Sequence, residues 1–316
     1  MASITNDLWA PRALGAARST RLRVVREAVI MTGLVLCGLL SLLTTIIIIF
    51  VLAKESVAFF ALEEVSLWEF VTGTQWTPLL GTQKHFGIWP LVCGTMLVTA
   101  VAMSLSLPLG LITAIYLSEY APPGLRAVLK PLLEILAGIP TVVFGFFALT
   151  VITPGLQWLH GGFGVYNAAS AGLAVGIMTL PIVTSLSEDA LRAVPRSLRE
   201  GAYGLGSTRF ETSVKVVVPA ALSGIIAAFL LAVARTVGET MIVALAAGAS
   251  ARLTVDPRSE VQPMTGYLVQ IFLGDASNFG PEYLSSYAVA ATLFLMTFIL
   301  TVVGHRIRVR FRQVYE

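Results

Sequence analysis

The chain has 316 residues, of which 56% are hydrophobic and only 12% are charged, compared with about 25% charged in a soluble domain. Its mean hydropathy of +0.83 and its long uncharged runs exclude a soluble fold and predict a helical membrane protein, because a membrane β-barrel would show short alternating segments. The net charge of +3 does not indicate nucleic-acid binding, because the basic residues lie beside the ends of apolar runs. Both cysteines lie inside such runs, so neither a disulfide nor a metal site is expected.

The first predicted span follows a basic N-terminal tail. Residues 1–27 contain five arginines, and residues 28–53 carry no charged side chain. This apolar run is longer than the hydrophobic region of a signal peptide, which favours an uncleaved span. An Arg-rich organelle transit peptide is the alternative interpretation.

Five further spans are predicted from the remaining uncharged stretches. The Gly-rich segment 154–167 divides the stretch 135–187, which contains no Asp, Glu, Lys or Arg, into two of them. The six spans are therefore expected at about 28–53, within 86–118, and at about 131–153, 168–186, 219–248 and 284–304.

The distribution of basic residues predicts how these spans are oriented. Sixteen of the 21 lysines and arginines lie in 1–27, 119–130, 187–218 and 305–316. Because cytoplasmic loops are enriched in Lys and Arg, both termini and segment 187–218 are expected in the cytoplasm. The predicted organisation is a cytoplasmic tail (1–27), a six-span transmembrane domain (28–304) that includes the cytoplasmic segment 187–218, and a basic cytoplasmic tail (305–316).

The cytoplasmic segment 187–218 is compact, basic and helix-prone. Ser187 followed by Glu188 and Asp189 is typical of the start of a helix, and Pro195 fits a kink or the start of a second helical piece. Apolar residues recur there at three- or four-residue spacing, which predicts an amphipathic helix. The simpler alternative is a basic loop that only sets the topology.

The spacing within this segment resembles a motif of ABC-importer permeases. Their pattern is Glu-Ala-Ala, three residues, Gly, nine residues and Ile-x-Leu-Pro. The chain keeps every spacing and departs only at Gly201, Val216 and Val218; the matching positions are Glu200, Gly201, Ala202, Gly206 and Val216 to Pro219. The resemblance implies an all-α, type I (MetI-like) importer permease fold, in which this loop forms a cytoplasmic coupling helix that docks on an ATPase.

The ATPase is expected to be a separate chain. The sequence has no Gly-x-x-x-x-Gly-Lys-Ser/Thr phosphate-binding loop, and no loop is long enough for a nucleotide-binding domain. The chain itself is therefore expected to be a transporter subunit and not an enzyme. It is expected to bind no cofactor, with ATP and Mg²⁺ held by the partner ATPase.

Two charged residues stand alone in the predicted fifth span. Arg235 and Glu239 should face protein or water, because a charge near the bilayer centre costs about 2.5–3.5 kcal/mol. Their spacing predicts that they share one helical face, one turn apart, with Arg235 about 24 Å beyond Pro219. An arginine fork suits phosphate, while Gly238 and Thr240 would allow close backbone approach and add a hydroxyl. A buried ion pair that only fixes packing is the alternative.

The sequence around these charges is similar to that of phosphate ABC-importer permeases. The similarity is strongest in Arg-Thr-Val-Gly-Glu-Thr-Met (235–241), and the stretches 86–122 and 130–149 resemble the same group. Of the two sister permeases in that family, Gly-Glu-Thr-Met followed by Ile-Val resembles the PstC type. The resemblance implies import of inorganic phosphate across a bacterial inner (plasma) membrane, past an anion gate at Arg235, Gly238, Glu239 and Thr240.

The resemblance also implies the partners of the chain. They are a sister permease that completes the translocation path, an ATPase dimer on the cytoplasmic side, an extracytoplasmic phosphate-binding protein and the lipid bilayer. No nucleic acid is expected.

Three other functions stay open at this point. One is an ABC permease for another oxyanion, such as molybdate or sulfate. Another is an ion-coupled secondary carrier, although no persuasive internal duplication is present. The third is a membrane enzyme, which the three histidines at span edges and in loops do not favour, because no Ser/Asp arrangement accompanies them.

Overall fold

The computed structural model describes residues 13–79, 84–275 and 280–310. Within these ranges the chain is helical, and the only β-type pairing is an isolated bridge between Trp76 and Phe86. The helices are α1 (Ala13–Phe60), α2 (Leu67–Thr72), α3 (Trp89–Ile115), α4 (Pro123–Ala137), α5 (Thr141–Phe147), α6 (Thr153–Leu159), α7 (Ala168–Arg192), α8 (Arg196–Gly204), α9 (Arg209–Thr212), α10 (Val218–Ala220), α11 (Leu222–Val237), α12 (Met241–Ala246), α13 (Met264–Gln270) and α14 (Pro281–Arg310).

Five helices are long and apolar enough to cross a membrane, and they are Arg26–Phe60, Trp89–Tyr120, Thr141–Leu159, Ala168–Arg192 and Pro281–Arg310. A sixth span is obtained when Arg209–Ala220 and Leu222–Val237, which are bent by 71°, are counted together. The predicted number of six spans is confirmed when this bent pair is counted as one span.

The chain divides into two compact units, residues 1–54 and 55–316. In its described part the first unit is the larger portion of α1, and the uncharged run 28–53 lies inside that helix, as predicted. The predicted N-terminal tail (1–27) overlaps α1 from Ala13, and the predicted C-terminal tail (305–316) begins inside α14. Residues 1–12 and 311–316 of these tails lie outside the described residues, and the predicted domain boundaries stay predictions.

Helices α3 and α7 form the centre of the second unit. They approach closely at Gly172 and Gly176, where an added Cβ atom would lie 3.0 Å from the Val98 carbonyl oxygen and 2.9 Å from the Ala102 carbonyl oxygen. Only small residues permit this spacing between membrane helices. The α5, α11 and α12 helices pack around the pair, and small and apolar side chains from all five helices fill the core.

Proline and glycine interrupt two predicted spans. The span predicted at 131–153 is wrong in its bounds, because α4 ends at Ala137 and a new helix starts at Thr141 after Pro140; a residue before proline disfavours the helical conformation. The bounds predicted for the span at 219–248 are also wrong, since the chain bends at Ala221 and α11 ends at Val237.

The start of a helix predicted at Ser187 is wrong as well. Helix α7 continues without a break through Ser187 to Arg192, and Glu188 is a buried residue of that helix. Pro195 then precedes α8, which is the second helical piece expected from the sequence.

Candidate translocation path and coupling segment

The break after α11 separates the two charges that the sequence placed in one helix. Arg235 lies in the last turn of α11, which ends at Val237, whereas Glu239 follows the helix. The Glu239 carboxylate accepts hydrogen bonds from the backbone N–H groups of Met241 and Ile242, at 3.2 and 3.4 Å. A carboxylate at this position stabilises the start of α12. The prediction that Arg235 and Glu239 share one helical face is therefore wrong.

The same break places the other predicted gate residues. Gly238 ends α11, and its N–H donates to the Ala234 carbonyl oxygen. The Thr240 hydroxyl donates to the Gly238 carbonyl oxygen at 3.3 Å. Glu239 is buried, and its carbonyl oxygen accepts a 2.7 Å hydrogen bond from the Thr265 hydroxyl. The hydrogen bonds of Glu239 and Thr240 thus stabilise the break between α11 and α12.

Arg235 lines a cavity of about 680 Å³, which we call the Arg235 cavity. Its walls come from α4, α7 and α11 together with Leu117, and they are largely apolar. The Arg235 side chain is exposed, and within the described part of the chain it makes no hydrogen bond or ion pair. Arg235 forms no ion pair with Glu239; the alternative interpretation, an ion pair that fixes packing against a neighbouring subunit, stays a prediction. A guanidinium left free in an apolar cavity is an available anion-binding group.

Thr184 adds a second unused polar group to this cavity. It lies on α7, is fully buried, and its hydroxyl has no hydrogen-bond partner in the described residues. Buried hydroxyls are normally bonded, so Thr184 is an unsatisfied polar group beside the cavity. Sequence reasoning missed Thr184, because a threonine within an apolar helix gives no signal by itself.

Ion pairs around Glu188 lie in the wall of the cavity where α4 and α7 meet. This carboxylate is only 1% exposed and contacts Arg126 at 2.6 Å, Lys130 at 3.0 Å and Arg192 at 3.7 Å. Lys130 also donates to Asp189 at 2.8 Å. We call these five residues the Glu188 cluster. A buried carboxylate requires such partners because its desolvation is costly.

The Glu188 cluster keeps Lys130 charged. Its hydrogen bond to Asp189 is the main reason that the pKa of Lys130 lies above its ordinary value of 10.5, with smaller contributions from Glu188 and in spite of partial desolvation. Lys130 and Glu188 both line the Arg235 cavity, so the ion pairs between α4 and α7 form part of its wall.

The predicted coupling motif forms a short helix with an exposed end. Helix α8 carries Glu200 and Gly201 on its exposed side and Ala202 on its buried side. It ends at Gly204, and Gly206, two residues later, has a φ of 83° in the left-handed region that favours glycine. Nearby apolar side chains are exposed, with Leu205 90% and Phe210 68% accessible. Pro219 lies in α10, directly before the bend at Ala221.

Arg199 attaches this helix to the body of the protein. Its guanidinium donates to both oxygens of Glu119, at 3.2 and 2.9 Å. It also donates to the carbonyl oxygens of Val194 and Leu191, at 2.6 and 2.8 Å. Glu119 lies in the π-helical turn Tyr116–Tyr120 at the end of α3, so α8 is fixed to the end of a central helix.

Residues 106–313 match the family described as "Binding-protein-dependent transport system inner membrane component". The chain belongs to this family. It is 32% identical to the probable ABC transporter permease protein YqgH of Bacillus subtilis, covering 91% of this chain and 92% of that protein. It is also 32% identical to the phosphate transport system permease protein PstC of Mesorhizobium japonicum (77% and 79% covered) and 31% identical to PstA 1 of Mycobacterium tuberculosis strain H37Rv (76% and 77% covered).

Solved structures confirm the predicted permease fold. A bacterial alginate ABC transporter in complex with an alginate pentasaccharide-bound periplasmic protein gives a TM-score of 0.63 at 13% identity, covering 91% of this chain and 96% of that chain. The MetNI methionine ABC transporter in an inward-facing conformation gives 0.54 at 18% identity, covering 72% and 95%. The permease is therefore a multi-pass membrane protein of the type I importer fold, and its relatives are ABC transporter permease subunits.

The site residues of the permease differ in how they could be found. The spacing of the Gly206 motif pointed to α8, and the isolated charges of the predicted fifth span pointed to Arg235. Arg199, Glu119 and the Glu188 cluster gave no such signal, because their contacts join residues about 60 to 80 positions apart in the chain.

Proposed function

We propose that this permease imports inorganic phosphate, with Arg235 as an anion-binding group on the path. The observation that carries the proposal is the free guanidinium of Arg235 in a largely apolar cavity, in a chain about 30% identical to permeases named for phosphate transport. Arginine binds phosphate oxygens in a bidentate, charge-assisted manner. A cation at this depth is costly unless it serves a transported anion or a partner.

The position of Arg235 fits a site inside the membrane. It lies 13 residues after the start of α11 at Leu222, which corresponds to about 20 Å along the helix axis. Sequence counting from Pro219 gave about 24 Å, and the bend at Ala221 shortens this distance. Gly238 lines the same cavity and leaves room for a ligand beside the guanidinium.

We propose that the working assembly contains a sister permease, an ATPase dimer and an extracytoplasmic phosphate-binding protein. ATP and Mg²⁺ would be bound by the ATPase, and both termini and α8 would face the cytoplasm. The exposed apolar side chains around Gly206 support docking of a partner there. We place the assembly in a bacterial inner membrane, in keeping with the family description.

The contacts of α8 support a route from the ATPase to the path. Movement of α8 would be passed to Glu119 through Arg199, and Leu117, in the same π-helical turn, lines the Arg235 cavity. A docked ATPase would thereby change the cavity without touching it.

Reconstituted complexes test the proposal directly. Phosphate, presented with the binding protein, should stimulate ATP hydrolysis and be taken up, whereas molybdate and sulfate should do neither. Stimulation by sulfate or molybdate in place of phosphate would favour the second candidate, a permease for another oxyanion. Transport without an ATPase would indicate a secondary carrier.

A further inference from the structure

A second cavity lies at the other predicted face of the permease. It measures about 500 Å³ and is lined by residues that follow α2, by residues between α12 and α13 and by two residues of α13. No residue lines both this cavity and the Arg235 cavity. We call it the Trp76 cavity. Its lining belongs to the loops with few basic residues, which are expected outside the cell.

Trp76 provides this wall with a buried donor that has no acceptor. The side chain is 4% exposed, and its indole N–H has no hydrogen-bond partner in the described residues. The ring is held in place by edge contacts with Tyr267 and Phe86, at centroid distances of 5.0 and 6.1 Å. Because buried donors are almost always bonded, the unbonded N–H of this cavity-lining residue lacks an acceptor that a bound ligand would supply.

Arg252 gives the same cavity a free cation. Its side chain is exposed and makes no hydrogen bond or ion pair within the described residues. Arg258, six residues later, behaves differently, since its guanidinium is bound to the Asp256 carboxylate at 2.9 Å. Arg252 is therefore available to an anion, whereas Arg258 is already neutralised.

Glu260 adds an acceptor next to these donors. One of its carboxylate oxygens accepts from the Ala249 N–H at 2.9 Å, and the other makes no hydrogen bond in the described part of the chain. A carboxylate repels a fully ionised oxyanion but accepts a hydrogen bond from one that carries a proton. Cation, neutral donor and acceptor together suit a protonated oxyanion.

We propose that the Trp76 cavity is an outer binding site for hydrogen phosphate, occupied before the anion reaches Arg235. Arg252 and the Trp76 N–H bind its ionised oxygens, and Glu260 accepts its P–OH proton in a hydrogen bond. Sulfate is fully ionised at neutral pH and cannot donate to Glu260, so the site discriminates between two anions of similar shape. This inference rests on the proposed function for the direction of transport.

Thiol protection tests the site without requiring transport. In full-length protein in lipid nanodiscs, Cys37→Ser and Cys93→Ser remove the native thiols, and Ser250→Cys places one in the cavity wall. The labelling rate by a polar thiol reagent is measured with inorganic phosphate or sulfate. We expect phosphate to slow labelling about tenfold at ten times its half-protecting concentration, and sulfate to have no effect. Absence of phosphate protection, or equal protection by sulfate, overturns the proposal.

Matched variants identify the groups involved. Arg252→Gln should raise the half-protecting phosphate concentration about tenfold or more, as expected for loss of a charge-assisted hydrogen bond, while the paired Arg258→Gln should leave it unchanged. Trp76→Phe keeps the aromatic packing and should also weaken protection. Glu260→Gln should allow sulfate to protect. Equal loss in the Arg252 and Arg258 variants, with unchanged labelling in the absence of anion, contradicts the assignment.

Different outcomes contradict the outer site and the proposed function. If phosphate protects Ser250→Cys but does not stimulate ATP hydrolysis in the assembled complex, the proposed function is wrong and the site stands. If phosphate is transported but gives no protection, the site is wrong and the proposed function stands. Protection should persist in the Arg235→Gln variant, because Arg235 does not line the Trp76 cavity.

Discussion

Arg199 of α8 and Glu119 of the π-helical turn after α3 are joined by two hydrogen bonds, at 3.2 and 2.9 Å, in a pair whose side chains are only 16% and 6% exposed. The same guanidinium also binds two backbone carbonyl oxygens at the end of α7. One side chain thus joins the helix proposed to meet the ATPase to two helices of the membrane core.

Replacing Arg199 with lysine should uncouple ATP hydrolysis from transport. A single ammonium group cannot make the four hydrogen bonds of the guanidinium fork, and charge-assisted bonds contribute about 1.5–3 kcal/mol each. Phosphate transported per ATP hydrolysed, measured in proteoliposomes, should fall several-fold. Arg196→Lys is the matched control, because Arg196 is exposed on the same helix. An unchanged ratio in Arg199→Lys would show that the Glu119 contact does not transmit motion.

The free guanidinium of Arg235 should be required for uptake but not for assembly. Arg235→Gln removes the charge while keeping much of the side chain's volume, so we expect phosphate uptake to be abolished and copurification with the ATPase to be normal. Arg235→Lys should keep partial uptake, since a point charge replaces the bidentate fork. Uptake of radioactive phosphate is measured for both Arg235 variants. Normal uptake in the glutamine variant would remove Arg235 from the path.

Glu239 should behave as a helix cap more than as a partner of Arg235. Glu239→Gln keeps an acceptor for the Met241 and Ile242 N–H groups, so it should cost only about 0.3–1 kcal/mol of stability from the lost charge at the helix start. Glu239→Ala should cost about 1–2 kcal/mol. Thermal unfolding of the two purified variants measures which of them loses more stability. Abolished uptake in the glutamine variant with unchanged stability would instead support the gate role.

The turn at Gly206 should tolerate no side chain. Its φ of 83° costs about 1–2 kcal/mol for other residues, so Gly206→Val should displace the end of α8 and weaken ATPase pull-down. Gly204→Ala is the control, because Gly204 is helical and an added Cβ atom would meet nothing within 4 Å. Full ATPase binding and transport in Gly206→Val would exclude this turn from docking.

Removing the charge of Glu188 should destabilise the protein strongly. Glu188→Gln leaves Arg126 and Lys130 without their shared partner, and we expect a loss of about 3 kcal/mol, the low end for a buried pair because the cations remain partly hydrated. Glu200→Gln, on an exposed face, should change the melting temperature little. Equal melting temperatures for the two variants would contradict a structural role for the cluster.

The same cluster predicts a pH dependence at the alkaline end. The pKa of Lys130 is raised by folding, so its contribution to stability is fully present below the unfolded value of 10.5 and is lost as the pH rises through the higher folded value. Melting temperatures in Lys130→Met should therefore lie below those of the parent at neutral pH. The two should converge once the pH exceeds the raised pKa of Lys130.

The sequence predicted the fold through its apolar runs and the Gly206 motif, because both are local patterns. It misplaced the ends of two spans, since breaks at Pro140 and Ala221 occur within runs that are apolar throughout. It also joined Glu239 to Arg235 by helical spacing, although Gly238 ends the helix between them. The partners of Glu188 on α4 and the convergence of Trp76 with Arg252 depend on tertiary packing, which residue spacing does not encode.

The contact between α3 and α7 at Gly172 and Gly176 limits how the permease can change shape. At both glycines the partner helix is so close that an added Cβ atom would meet a backbone carbonyl oxygen within 3.0 Å and the side chain of Val101 or Leu105 within 3.1 Å. Sliding or rotating one helix past the other would drive atoms into carbonyl oxygens. We therefore expect α3 and α7 to move together, so that the changes which open the path to either side occur at the breaks at Ala221 and Gly238.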